Sequence, residues 1–136
     1  MSYAQSAALQ AAVYETLATD PALNALLGDA IFDTAPADTL PPLYVRLGPE
    51  QVRDSSDASG PGAVHDFTVL VGGRTGGFHA AKSVAAAVCE ALHDTPLALA
   101  RGRLVSLRFT RARARRGAGA GENLIELRFR ARLEDA

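Results

Sequence analysis

Arg103-Leu-Val-Ser-Leu-Arg-Phe-Thr-Arg-Ala-Arg-Ala-Arg115 and Gly121-Glu-Asn-Leu-Ile-Glu-Leu-Arg-Phe-Arg-Ala-Arg-Leu133 are joined by Arg116-Gly117-Ala118-Gly119-Ala120. In the second segment Ile125, Leu127, Phe129, Ala131 and Leu133 alternate with Glu126, Arg128, Arg130 and Arg132. Alternation of one apolar and one charged face is the pattern of a strand packed on one side only. The first segment continues this through Val105, Leu107 and Phe109, and then gives way to the row Arg111, Arg113, Arg115 and Arg116. The stretch therefore predicts a long C-terminal β-hairpin whose base is ordinary sheet. Its basic tip is expected to project beyond the body as an arm that touches a partner.

Working outward, a chain of 136 residues is expected to form one domain, 1–136. Residues 4–18 predict a helix with Leu9, Ala12, Val13 and Leu17 on one stripe. Asp20 and Pro21 open a short second helix that Gly28 ends, with Leu23, Leu26 and Leu27 expected to bury. Short strands follow at Ala30–Asp33, Leu43–Leu47 and His65–Val71, the second broken by Gly48-Pro49 and the third using Phe67, Val69 and Val71 for its core face. Residues 53–63 are turn formers throughout and read as a mobile loop. The longest helix is predicted over Phe78–His93, burying Phe78, Ala81, Ala85, Val88, Cys89 and Leu92. Strands in runs rather than strict alternation with helices argue for an α+β fold. The expectation is an antiparallel-dominated sheet of about five strands with helices packed on one face.

Charge is distributed unevenly along the chain. Residues 1–100 hold four basic side chains against eleven acidic ones, a net of −7, whereas residues 101–136 hold ten arginines against four acids, a net of +6. Such halves suit contact with nucleic acid, or head-to-tail docking of copies, or compensation within one subunit. Thirteen of the fourteen basic residues are arginine, which favours planar, two-pronged contacts. Arg111, Arg113, Arg115, Arg116, Arg128, Arg130 and Arg132 are the candidate interface residues. They lack the aromatic interleaving of a single-strand binder, which leaves unspecific phosphate contact open.

Other chemistry is poorly supported. The glycines at 72–77 follow a strand and precede a helix, but lack the Gly-Lys-Ser/Thr ending of a phosphate loop. His65, His79 and His93 show no metal-ligand spacing, with His93 placed to help a helix C-terminus. The single Cys89 lies on an apolar stripe and excludes an internal disulfide. The Asp54-Ser-Ser-Asp57 loop lacks the ligand number of a calcium site. No catalytic residues, cofactor or metal are expected, and the chain reads as a non-enzyme. With no membrane-length apolar run and no signal-peptide pattern, it is expected to be soluble in a reducing compartment.

One resemblance spans nearly the whole chain. Leu9-Gln10-Ala11-Ala12-Val13, Leu26-Leu27-Gly28-Asp29-Ala30-Ile31-Phe32-Asp33 and Pro41-Pro42-Leu43-Tyr44-Val45-Arg46-Leu47-Gly48 carry it. The acidic-serine loop, the helix ending Ala91-Leu92 and the final hairpin add to it. In that order these segments resemble the small tail-completion proteins of long-tailed phages, a group similar to the tail terminators. The arginine- and alanine-rich composition is similar to versions carried by gene transfer agents of alphaproteobacteria. Many members have a tryptophan at the end of the third strand, where this chain has Val71-Gly72-Gly73. The resemblance implies a homo-oligomeric ring, usually hexameric, that caps the tail tube, stops its polymerisation and joins head-completion proteins. It implies assembly in the bacterial cytoplasm and residence at the head–tail junction of the particle. No active site, cofactor or membrane partner is implied, and DNA is met only in passage or by unspecific contact. The competing expectation is a basic head–tail adaptor that contacts DNA.

Overall fold

The computed structural model describes residues 3–34, 40–56, 60–74, 78–117, 119 and 121–135. The elements run α1 (Ser6–Ala18), α2 (Pro21–Leu27), β1 (Ile31–Phe32), β2 (Leu43–Asp54), β3 (Gly62–Gly73), α3 (His79–Leu92), β4 (Arg103–Arg116) and β5 (Asn123–Glu134). The alternation that defined β5 is realised: its odd-numbered apolar residues are all buried in the core. The sheet order is β1-β2-β3-β5-β4.

This sheet is mixed, which corrects the antiparallel-dominated expectation. The pairs β2–β3, β3–β5 and β4–β5 run antiparallel, but β1 lies parallel to β2, with Ile31 opposite Val45 and Phe32 opposite Arg46. A parallel neighbour needs a connection long enough to return the chain to its starting end. The proline-bearing segment between Phe32 and Leu43 supplies it; residues 35–39 of that segment lie outside the described residues.

The helices pack on one face. From α1 come Leu9, Val13 and Leu17, and from α3 come Ala81, Val84, Ala85, Val88 and Leu92. Val84 joins the predicted stripe, while Cys89 is only half-buried. In α2 the Asp20 carboxylate accepts from Leu23 N–H and Pro21 occupies the first turn, as expected. Leu26, however, is 46% exposed, because a two-turn helix on the rim has room to bury only Leu23 fully.

The two central strands are longer than the sequence suggested. Gly48-Pro49 does not end β2; it forms a register shift between Leu47 and Glu50, after which pairing resumes to Asp54. A bulge is where a sheet tolerates a residue without an N–H. Arg53, Asp54, Gly62 and Ala63, placed in a mobile loop by composition, are therefore strand residues, and Ser55 N–H donates to Gly62 O at 2.9 Å to close the turn. Residues 57–59 and 75–77 of the two predicted loops lie outside the described residues. Gly72 and Gly73 belong to β3, paired with Tyr44 and Leu43.

Among the described residues the hairpin does not project as an arm. The tip half of β5, Asn123–Leu127, is held between Val69–Gly73 of β3 and Ala112–Arg116 of β4. The hairpin is thus one flank of the sheet, with β4 as its edge. Two register shifts mark this edge, between Leu104 and Ser106 and between Phe109 and Arg111. The first extrudes Val105, which is 43% exposed rather than in the core, and passes its role to Leu104. The second has the larger consequence. By inserting Thr110 it moves Arg111, Arg113 and Arg115 off the Leu107–Phe109 face and puts Ala112 and Ala114 there instead.

Candidate functional site

Register and burial together define the face of the sheet opposite the helices. Across β5 and β4 it carries the rows Leu124–Arg115, Glu126–Arg113, Arg128–Arg111, Arg130–Arg108, Arg132–Ser106 and Glu134–Arg103. Across β3 and β2 it carries Gly72–Tyr44, Leu70–Arg46, Thr68, Asp66–Gln51, Val64–Arg53 and Gly62. Among the described residues no helix covers it. Of the seven predicted interface arginines, six share this face: Arg111, Arg113, Arg115, Arg128, Arg130 and Arg132. Arg116 does not, because it pairs with the buried Asn123 on the helix side. Sequence reading missed Arg46, Arg53, Arg103 and Arg108, which join the face only through strand pairing. The alternation of Arg103 with Leu104 and of Arg108 with Phe109 carried a faint signal of this.

Part of this charge is structural. Leu70, Val64 and Leu124 lie on the open face yet are at most 9% exposed. Flanking arginine stems can cover such side chains while their guanidinium groups stay in water. Several of these arginines are ion-paired. Arg130 Nε donates to Asp66 Oδ1 at 2.8 Å, Arg115 reaches Glu126 Oε1 at 2.8 Å, and Arg103 pairs with Glu134. The hydrogen bond and charge of Asp66 hold the Arg130 guanidinium above its usual pKa. Arg132 donates to Ser55 Oγ at 2.5 Å and to Ser55 O at 3.2 Å, which ties β5 to the β2–β3 turn. Of the other arginines, the β4–β5 group Arg108, Arg111, Arg113 and Arg128 makes no ion pair among the described residues, and all four are exposed. It forms a continuous patch with Arg111 directly opposite Arg128.

Among the described residues the other sequence candidates do not assemble into a reactive centre. Burial and the neighbouring Glu90 raise the Cys89 thiol above its ordinary pKa, so it favours the protonated form. His93 stands at the C-terminal end of α3, as expected; its Nδ1 accepts from Phe109 N–H at 3.0 Å and its Nε2 lies 3.2 Å from Asp94 Oδ2, while Asp94 N–H donates to Leu107 O at 2.8 Å. The two N–H bonds close the edge of β4 beside α3. Among the described residues no three His, Cys, Asp or Glu side chains stand close enough to share a metal ion. Among the described residues no helix is long and apolar enough to cross a membrane.

His65 is fully buried between Val52 and Ala131, and neither ring nitrogen has a hydrogen-bond partner among the described residues. Burial lowers its pKa below 6.5, against weaker opposing effects of Glu50 and Asp66. Below about pH 6.5 the unfolded chain therefore binds a proton that the folded chain resists, so stability falls as pH drops through that range. His65→Leu is expected to flatten this dependence between about pH 5 and 7 in urea unfolding. It should also be at least as stable as wild type at neutral pH, because the unpaired nitrogens are gone. An unchanged pH slope in the variant would refute the assignment.

Comparison with known proteins bears on the whole fold. No curated protein sequence matches the chain. Among solved structures, a chain from the "Virion of native gene transfer agent (GTA) particle" is 53% identical, covering 98% of this chain and 99% of its own length, with a TM-score of 0.91. The family model of the tail completion protein gp17 matches residues 11–134, from α1 to the end of β5. The chain belongs to the tail completion protein gp17 family.

Proposed function

We propose that this protein is a structural tail terminator of a phage-like particle related to gene transfer agents. Copies form a closed ring, six in number by analogy with the family, that seats on the end of the tail tube. There the ring stops tube polymerisation and offers a joint to head-completion proteins. The protein assembles in the bacterial cytoplasm and remains at the head–tail junction of the particle, with no enzymatic role. The observation that carries this reading is the near full-length likeness to a chain of a gene transfer agent virion. A sheet with one uncovered charged face and no reactive cluster among its described residues suits a scaffold.

Loss of the protein is expected to give overlong or headless tails by electron microscopy, and particles of normal tail length would sink the reading. Native mass spectrometry, with tube protein added, should show a closed oligomer; a strict monomer that ignores tube protein would count equally against it.

A second reading, a basic adaptor touching DNA at the joint, is favoured by the arginine face alone. It predicts duplex binding that weakens steeply with salt and is abolished by reversing Arg128, Arg130 and Arg132. Absence of binding at low salt would dismiss it.

A further inference from the structure

The charges that divide along the sequence divide by layer in the fold as well. The open sheet face carries ten arginines against Asp66, Glu126 and Glu134. The two segments that hold the helices, residues 3–34 (with the short edge strand β1) and 78–100, carry six carboxylates against Lys82 alone. Their Glu15, Asp29 and Glu90 are exposed and make no ion pair among the described residues. One molecule thus presents a cationic front and an anionic back.

We propose that the open sheet face docks against the helix layer of a second copy. Arg108, Arg111, Arg113 and Arg128 then meet carboxylates such as Glu15, Asp29 and Glu90. The proposal rests on the ring reading and names the surfaces that would close the ring.

Three observations carry it. Charge complementarity is the first, and arginine suits it because its planar fork grips carboxylates with two bonds. The second is the cost of the isolated face. Arg111 and Arg128 stand directly opposite each other, a like-charge pair that destabilises a sheet until an anion arrives. The third is area. Four strands at about 4.8 Å spacing and about 40 Å length present roughly 750 Å², close to the roughly 800 Å² per partner of a stable interface. A front-to-back contact is heterologous, so it propagates and closes into a ring when the rotation per subunit allows.

A DNA duplex could also meet these arginines, but the chain as a whole carries a net charge of −1, and three carboxylates are set among them. That balance gives little long-range attraction for a polyanion, whereas self-docking requires just such a balance between faces.

The test uses two full-length variants, each checked for wild-type secondary structure by circular dichroism. One reverses the front, Arg111→Glu with Arg128→Glu; the other reverses the back, Glu15→Arg with Asp29→Arg and Glu90→Arg. Native mass spectrometry should show each variant alone losing the closed oligomer, with association weakened about 100-fold. Mixed in equal amounts, they should assemble, because each reversed front then meets a reversed back, and the rings should alternate. Closed rings formed by either variant alone would overturn the interface while leaving the ring reading intact. A wild-type protein that stays monomeric with tube protein would remove the ring reading itself, and this proposal with it. Salt-sensitive duplex binding by wild type, lost in the front variant while its oligomer persists, would assign the face to DNA and overturn self-docking.

Discussion

Phe129→Ala is expected to destabilise the fold by about 3–5 kcal/mol, read as a lower urea midpoint at an unchanged slope. Phe129 is 0% exposed at the centre of β5 and anchors a three-ring cluster. Its ring stacks on Phe67 with centroids 5.5 Å apart and meets Phe109 edge-on at 5.9 Å. Truncation removes both aromatic contacts and leaves a void between β3 and β4 that rigid neighbouring strands cannot collapse to fill. Domains of this size are stable by only about 5–15 kcal/mol, so the loss is a large share of the total. Phe129→Leu keeps most of the volume and should cost far less. Both variants need comparison at one protein concentration, since any self-association adds to apparent stability. A Phe129→Ala protein within about 1 kcal/mol of wild type would contradict the packing described, being no worse than an average substitution.

What the sequence made legible follows from how each feature is encoded. The β5 alternation was plain because five apolar and four charged residues repeat with period two in one segment. The Asp20-Pro21 start of α2 was equally plain, because the cap and the first-turn proline are adjacent. The arginine face was half legible. The Arg-Ala run of β4 alternates in either register, and only the extra residue at Thr110 decides which face the arginines take. No local preference for a bulge is written into Phe109-Thr110-Arg111; the choice belongs to tertiary packing, which buries Leu107 and leaves the guanidinium groups to water. Arg46 and Arg53 were invisible as members of the face because their membership depends on pairing with Leu70 and Val64 in another strand. The apolar outward residues of β3 also masked its two-faced character, since burial under arginine stems looks, in sequence, like burial in a core. The parallel β1 was the hardest to anticipate: two residues carry no periodicity from which direction could be inferred.

The corner of the same face yields a second large expected effect, at Gly72. A Cβ built on Gly72 would land within the ring of Tyr44, its cross-strand partner, which lies over the glycine and is only 2% exposed. In this chain the aromatic mass near the end of β3 thus comes from β2, laid over a glycine. Gly72→Ala cannot coexist with this arrangement. The ring must swing outward, at a cost of about 1–3 kcal/mol for the overpacked site. Spectroscopy can follow it, because burial, aided by Glu122, raises the Tyr44 phenol above 10.0 in the folded protein. Above that pH the unfolded chain loses its proton more readily than the folded one, so wild-type stability should decline as pH climbs past about 10. Gly72→Ala should return the phenol towards its ordinary value and weaken that decline, with Tyr44→Phe marking which step in the ultraviolet titration belongs to Tyr44. A Gly72→Ala protein with wild-type stability and an unshifted Tyr44 titration would show that the ring does not occupy this seat. If the ring does leave, Arg46 loses the neighbouring Tyr44 side chain with which it interacts electrostatically. A substitution that adds no charge would then loosen one corner of the arginine face, separating the geometry of that face from its net charge as the determinant of assembly.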